Sequence, residues 1–111
     1  MPPTKLHDNP AALLEHEFAQ ERATALGRIG RALEAALAAL AEFDAGNQGD
    51  AVDGRPARAA LVAEAGMALW QFVVQREACG LRDMRQALRD YRVPREVAAR
   101  MGVSPEERRR R

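Results

Sequence analysis

ALGRIGRALEAALAALAEF (residues 25–43) decides the fold. Within it Leu26, Ile29, Leu33, Ala36, Leu40 and Phe43 recur at alternating spacings of three and four. That period places them in one stripe along an α-helix, as in a helix packed on another helix. Ala19 and Arg22 continue the stripe toward the N-terminus, and Leu14, Phe18 and Leu37 widen it. Asn9–Pro10 supplies the start: an Asn side chain accepts from the first free N–H groups, and proline fits the first helical position. The spacing therefore predicts a helix from Pro10 to about Asp44, roughly 52 Å long at 1.5 Å per residue. Gly27 and Gly30 interrupt it and form a small-residue strip with Ala23. Each glycine costs about 1 kcal/mol against alanine. The expected return is close approach of a neighbouring helix backbone, with a kink or break as the alternative.

Working outward, AGNQGDAVDG (residues 45–54) reads as a loop. A calcium loop fails there, because Arg55 stands where the bidentate carboxylate belongs. Pro56 is expected to open a second helix ending near Cys79, with Gly80 as its left-handed cap. Its stripe is Val62, Ala65, Leu69, Phe72, Arg76 and Cys79, flanked by Leu61 and Val73. Trp70 and Val74 lie round to one side and predict a second buried face. A third helix is expected over Arg82–Tyr91, with Leu81, Met84, Leu88 and Tyr91 inward, and Val93–Pro94 stopping it. Pro94 is expected to start a fourth, over Val97–Met101, ended by Gly102. Nothing alternates with period two, so no strands are predicted. The fold class is all-α: a long antiparallel helical hairpin with two short C-terminal helices, pairing into a dimeric four-helix-type bundle. Two long amphipathic helices cannot enclose a core alone, and two-fold pairing is the usual remedy. Residues 1–9 read as a flexible N-terminal tail, 10–103 as a single helical domain and 104–111 as an Arg-rich C-terminal tail.

Composition agrees with a small globular helical chain. The 111 residues hold 23 Ala, 11 Leu and only five aromatics, which excludes disordered, collagen-like and disulfide-stapled classes. The single cysteine, Cys79, forms no intrachain disulfide. The start, MPPTKLHDNP, lacks a signal-peptide core, and no apolar run reaches the ~18 residues of a membrane span. A cytoplasmic protein with no membrane partner is expected. Charge is unevenly placed: residues 1–54 hold 4 basic and 9 acidic side chains, residues 55–111 hold 13 and 7. Such halves attract each other within one chain or between two copies.

Several residues invite chemistry. Cys79 lies between Arg76 and Arg82, and nearby cations favour a thiolate. No histidine base is close in sequence. Cys79 is expected as a buried small side chain, and Arg76, on the apolar stripe, as paired with a carboxylate from helix one or a second subunit. The functional alternative is a small anionic-ligand or enzymatic site at Arg76, Cys79 and Arg82. Arg82, Arg85, Arg89 and Arg92 recur at three, four and three, forming an arginine row. It is expected to pair with acidic residues such as Glu15, Glu17, Glu21, Asp83 and Asp90. Alternatively, with the terminal Arg108, Arg109, Arg110 and Arg111, it contacts nucleic acid phosphates. PREVAARMGVSPEE (residues 94–107) matches the first part of a helix-turn-helix, but the chain ends before a recognition helix is complete. His16, among Glu15, Glu17 and Gln20, lacks metal-ligand spacing, and no metal or cofactor is expected. GxxxxGK[ST] and GxSxG are absent.

ALGRIGRALEAAL (residues 25–37), WQFVVQREACGLRD (70–83) and YRVPREVAARMG (91–102) together resemble an uncharacterised family of short, all-helical bacterial proteins, a domain of unknown function. The resemblance implies a small bacterial cytoplasmic helical protein and transfers no activity, ligand or site. The expected function is a homodimeric interaction or structural module with an unidentified protein partner, leaning away from an enzyme.

Overall fold

A computed structural model describes residues 9–46 and 51–101, with the side chains of 51–53 excepted. Helix α1 spans Pro10–Gly46, α2 Ala51–Ala78, α3 Met84–Asp90 and α4 Arg95–Ala99. The described residues contain no strand, and the chain is all-α.

Asn9 caps α1. Its Oδ1 accepts from the N–H of Ala11 and Ala12 at 3.1 and 3.3 Å, satisfying donors that have no partner inside the helix. The helix then runs unbroken through Gly27 and Gly30. The small-residue strip does not receive a helix backbone. A Cβ at Gly30 would lie 2.8 Å from the Tyr91 hydroxyl oxygen and 3.3 Å from Phe72 Cε1, so two aromatic side chains fill that space. Gly27 meets only Arg31 of its own helix, at 3.4 Å. The second helix starts at Ala51, before the expected Pro56, which sits inside it. What remains of the predicted loop, residues 47–50, lies outside the described residues.

The two stripes meet. Leu33 and Leu40 of α1 are buried against Val62, Ala65, Leu69 and Phe72 of α2. Ala87 of α3 and Val97 of α4 complete the core. Full burial of a leucine contributes about 1.5–3 kcal/mol, so Leu33 and Leu69, both wholly enclosed, are its anchors. Phe43 lies against Gly54, Asp44 bonds Arg58, Gly30 faces Phe72, and the Arg22 carbonyl faces Cys79. Contacts therefore run in opposite senses along α1 and α2. Because Cys79 is level with Arg22, residues 10–21 of α1 project beyond the end of α2.

The chain reverses at Gly80, whose φ of 85° suits glycine. Its N–H donates to the Glu77 carbonyl at 2.9 Å and that of Leu81 to Arg76 at 2.8 Å, a Schellman ending. Asp83 caps α3 by accepting from the N–H of Gln86 at 3.1 Å. The fourth helix starts where expected, with Pro94 as its extended N-cap at φ −62° and ψ 149°, and ends at Ala99, short of Met101. It crosses α2 at Gly66, where a Cβ would come within 3.0–3.1 Å of Arg100. This is the one described glycine in a helix that receives another segment's backbone.

One expectation about burial fails. Leu81 and Met84 are not inward: the chain is still turning at Leu81, and the first turn of α3 lies clear of the core. Within one chain the second face of α2, with Trp70 and Val74, is exposed, because no described element covers it. By length and composition, Gly54–Ala78 reaches what a membrane crossing requires, contrary to the expectation of no such run. That helix also supplies Val62, Ala65, Leu69 and Phe72 to the core, a role that gives a soluble core helix the same profile.

Candidate functional site

Three helices are pinned together by one arginine. Asp44 continues the α1 stripe one turn past Leu40, and Arg58 precedes Val62 by one turn on the α2 stripe. Arg58 donates through Nε and Nη2 to the two Asp44 oxygens at 2.8 and 3.1 Å. Through Nη1 and Nη2 it donates to the Glu96 carboxylate of α4 at 2.8 and 2.6 Å. Both carboxylates are held below their ordinary pKa, first by the hydrogen bond from Arg58. Arg58 is held more firmly protonated by the same bonds, Glu96 first and Asp44 second. Beside this clamp, α2 and α4 enclose a crevice of about 420 Å³. It is lined by Ala59, Val62 and Ala99, by Arg55, Arg58 and Arg100, and by Glu96. Sequence reasoning missed the clamp. The available signal was a charged residue at the end of each apolar stripe, where a partner is required.

Arg76, Cys79 and Arg82 lie at the opposite end of α2. Arg76 is half-buried and its guanidinium sits 5.7 Å from the centre of the Phe72 ring. Where a carboxylate was expected, the described residues provide an aromatic face. Phe72 itself packs edge-on against Tyr91 with ring centres 4.8 Å apart. Burial raises the Tyr91 pKa, with Glu34 adding to it. Cys79 is half-buried rather than sealed, its Sγ 4.0 Å from the Arg22 carbonyl. Arg82 is exposed. The described crevices near α4, along Glu17–Arg28 and beneath Arg92 are lined by other residues.

The arginine row is not one helical face. Only Arg85 and Arg89 belong to α3; Arg82 precedes its cap and Arg92 follows it. Arg92 has φ 52°, a left-handed conformation that non-glycine residues seldom adopt. It completes the helix ending, with the Val93 N–H donating to Leu88 at 3.0 Å. All four arginines are exposed, and among the described residues none has the expected carboxylate within ion-pair distance. Arg108–Arg111 and the partial helix-turn-helix beyond Met101 lie outside the described residues. His16 is exposed on α1, and no group of three or more potential metal ligands occurs among the described residues.

The largest unexplained feature is apolar. Met67, Trp70 and Val74, at spacings of three and four on α2, are 45%, 44% and 44% exposed. Leu14 and Phe18, on the projecting part of α1, are 50% and 49% exposed. Neither group has a covering element among the described residues. Residues 5–109 match the model of a Family of unknown function (DUF6665). The chain belongs to that family. No curated protein and no solved structure matches it. For this DUF6665 member, the geometry must therefore carry the reading of function by itself. It shows a clamped core with an adjoining crevice, and two uncovered apolar patches.

Proposed function

We propose that this family member is a small cytoplasmic bacterial protein acting as a homodimeric interaction module. In this reading α1 and α2 form an antiparallel hairpin, and two hairpins pair as a four-helix bundle. The observation that carries it is the uncovered stripe Met67, Trp70 and Val74 together with Leu14 and Phe18. Completing the burial of a half-exposed large apolar side chain contributes on the order of 1 kcal/mol. In a two-fold assembly each residue counts twice, for a gross gain near 10 kcal/mol. Association costs about 4–15 kcal/mol, so these five residues matter individually and rim charges decide the remainder. The charges are suitable: Glu15, Glu17 and Glu21 of α1 and Arg82, Arg85 and Arg89 are exposed and unpaired among the described residues.

Sedimentation velocity at tens of micromolar protein tests the reading. The expected particle is twice the 12.2 kDa chain mass. Met67→Glu with Val74→Glu should return it to a single chain without loss of helical circular dichroism. A single-chain particle for the unaltered protein at all concentrations would overturn the dimer.

A second reading rests on the same unpaired arginines. Arg82, Arg85, Arg89 and Arg92 present positive charge to solvent, which suits nucleic acid phosphates. Binding to duplex DNA or RNA at about 50 mM salt, weakening steeply as salt rises, supports it. Absence of binding at that salt removes it.

A further inference from the structure

We infer that the crevice between α2 and α4 binds a small oxyanion, a carboxylate or a phosphate group, through Arg100 and Arg55. Arg100 Nε is sealed from solvent and has no hydrogen-bond partner. A buried donor left unbonded is unfavourable, and an ion, ligand or water that accepts from it would relieve the cost. The chain also accepts a glycine within α2 to seat this residue. A Cβ at Gly66 would lie 3.0 Å from Arg100 Cβ and 3.1 Å from its carbonyl carbon and oxygen.

The crevice lining carries three arginines, Arg55, Arg58 and Arg100, against one carboxylate, Glu96. Asp44 and Glu96 outnumber Arg58 and leave the clamp with one net negative charge, and Glu96 also lines the crevice. Arg55 and Arg100 have no carboxylate in ion-pair range among the described residues. The clamp fixes α4 on α2 and holds Arg100 in register with Arg55. A guanidinium presents Nε and one Nη side by side, matching two oxygens of a carboxylate or phosphate. Rotation of the Arg100 guanidinium plane toward the crevice would turn its unbonded Nε to that use. Ala59, Val62 and Ala99 give the lining an apolar part, so a short hydrocarbon body attached to the anion is accommodated. The ligand class is therefore a small organic acid or a phosphate monoester. This inference does not depend on dimerisation.

Titration of the full chain by ¹⁵N–¹H NMR tests it, with inorganic phosphate in one arm and butyrate in the other. Chloride holds the ionic strength constant. Saturating shifts are expected at the amides of Ala59, Val62 and Ala99 and at Arg100 Nε–H. Saturation by phosphate alone identifies a phosphate site, by butyrate alone an organic-acid site, and by both a general oxyanion site. Arg100→Gln should weaken binding at least tenfold. Arg55→Gln should weaken it about threefold, and serves if the first variant loosens α4. Arg85→Gln, on the far helix, should leave it unchanged. Shifts that stay linear in both arms, or affinities in R100Q and R55Q that both equal that of the unaltered chain, would overturn the inference.

Discussion

Gly30 and Gly27 are chemically identical and three residues apart on α1, yet their substitution should have opposite signs. A methyl at Gly30 would press on the Tyr91 hydroxyl at 2.8 Å, and Tyr91 is itself fixed against Phe72. Gly30→Ala should therefore lose the ~1 kcal/mol of helix propensity it gains and destabilise by about 1 kcal/mol net. Tyr91→Phe removes the offending oxygen, so Gly30→Ala with Tyr91→Phe should be more stable than Gly30→Ala alone. Gly27→Ala meets only Arg31 at 3.4 Å and should stabilise by up to about 1 kcal/mol. Urea unfolding of the three variants measures this; equal effects at Gly27 and Gly30 would contradict the packing described. Arg58 makes a second residue-scale case. The Asp44 and Glu96 carboxyls are depressed below 3.8 and 4.5, first by their hydrogen bonds from Arg58. A depressed folded pKa gives a contribution that is whole above those ordinary values and is lost as pH falls through the lower folded ones. Acidification below about pH 4 should then release α4 from α2. Hydrogen exchange at Val97 and Ala98 reports it, and Arg58→Gln should show the same loosening at neutral pH. Unchanged protection in both cases would mean that the clamp does not hold α4.

At the scale of elements, Leu69 and Trp70 are adjacent on α2 and belong to different surfaces. Leu69 is wholly buried and Trp70 is not. Leu69→Ala should cost the folded chain about 2–5 kcal/mol. Trp70→Glu should leave its helicity and melting nearly intact while abolishing self-association. A Trp70→Glu chain that melts like Leu69→Ala would place Trp70 in the core after all. The stripes of α1 and α2 were legible in the sequence because a period near 3.6 needs no partner to be seen. The Asn9 cap and Gly80 ending were legible because they depend on local chemistry. The uncovered face at Trp70 was read as buried, since periodicity shows that a face is apolar but not what covers it. The start of α2 was misplaced because Pro56 is tolerated inside the helix as well as at its first position. The clamp was illegible for another reason: Asp44, Arg58 and Glu96 sit on three helices, and their meeting depends on tertiary register. Arg100 was hidden in the same way, behind a glycine that has no partner until α4 is placed.

For the whole molecule, charge segregation and the projecting end of α1 have one common account. The acidic residues concentrate in the first half and the arginines in the second. Within a single chain, the described residues bring only Arg58 into ion pairs, with Asp44 and Glu96. Glu17 and Glu21 on α1 and Arg85 and Arg89 on α3 remain exposed. A two-fold assembly in which the projecting α1 of one copy lies along the other would bring these sets together, twice. Exposed pairs contribute only about 0.2–1 kcal/mol each, so four pairs amount to some 2 kcal/mol, or about thirtyfold in affinity. Glu17→Lys with Glu21→Lys should therefore weaken the dimer by roughly that factor, and Arg85→Glu with Arg89→Glu by a similar one. All four changes in one chain restore the opposition of charges and should recover most of the affinity. Sedimentation equilibrium at low and high salt measures both the factor and its screening. If the fourfold variant is as weak as the sum of its halves, the acidic and basic sets do not meet across the interface. The apolar stripe would then have to orient the second copy without them.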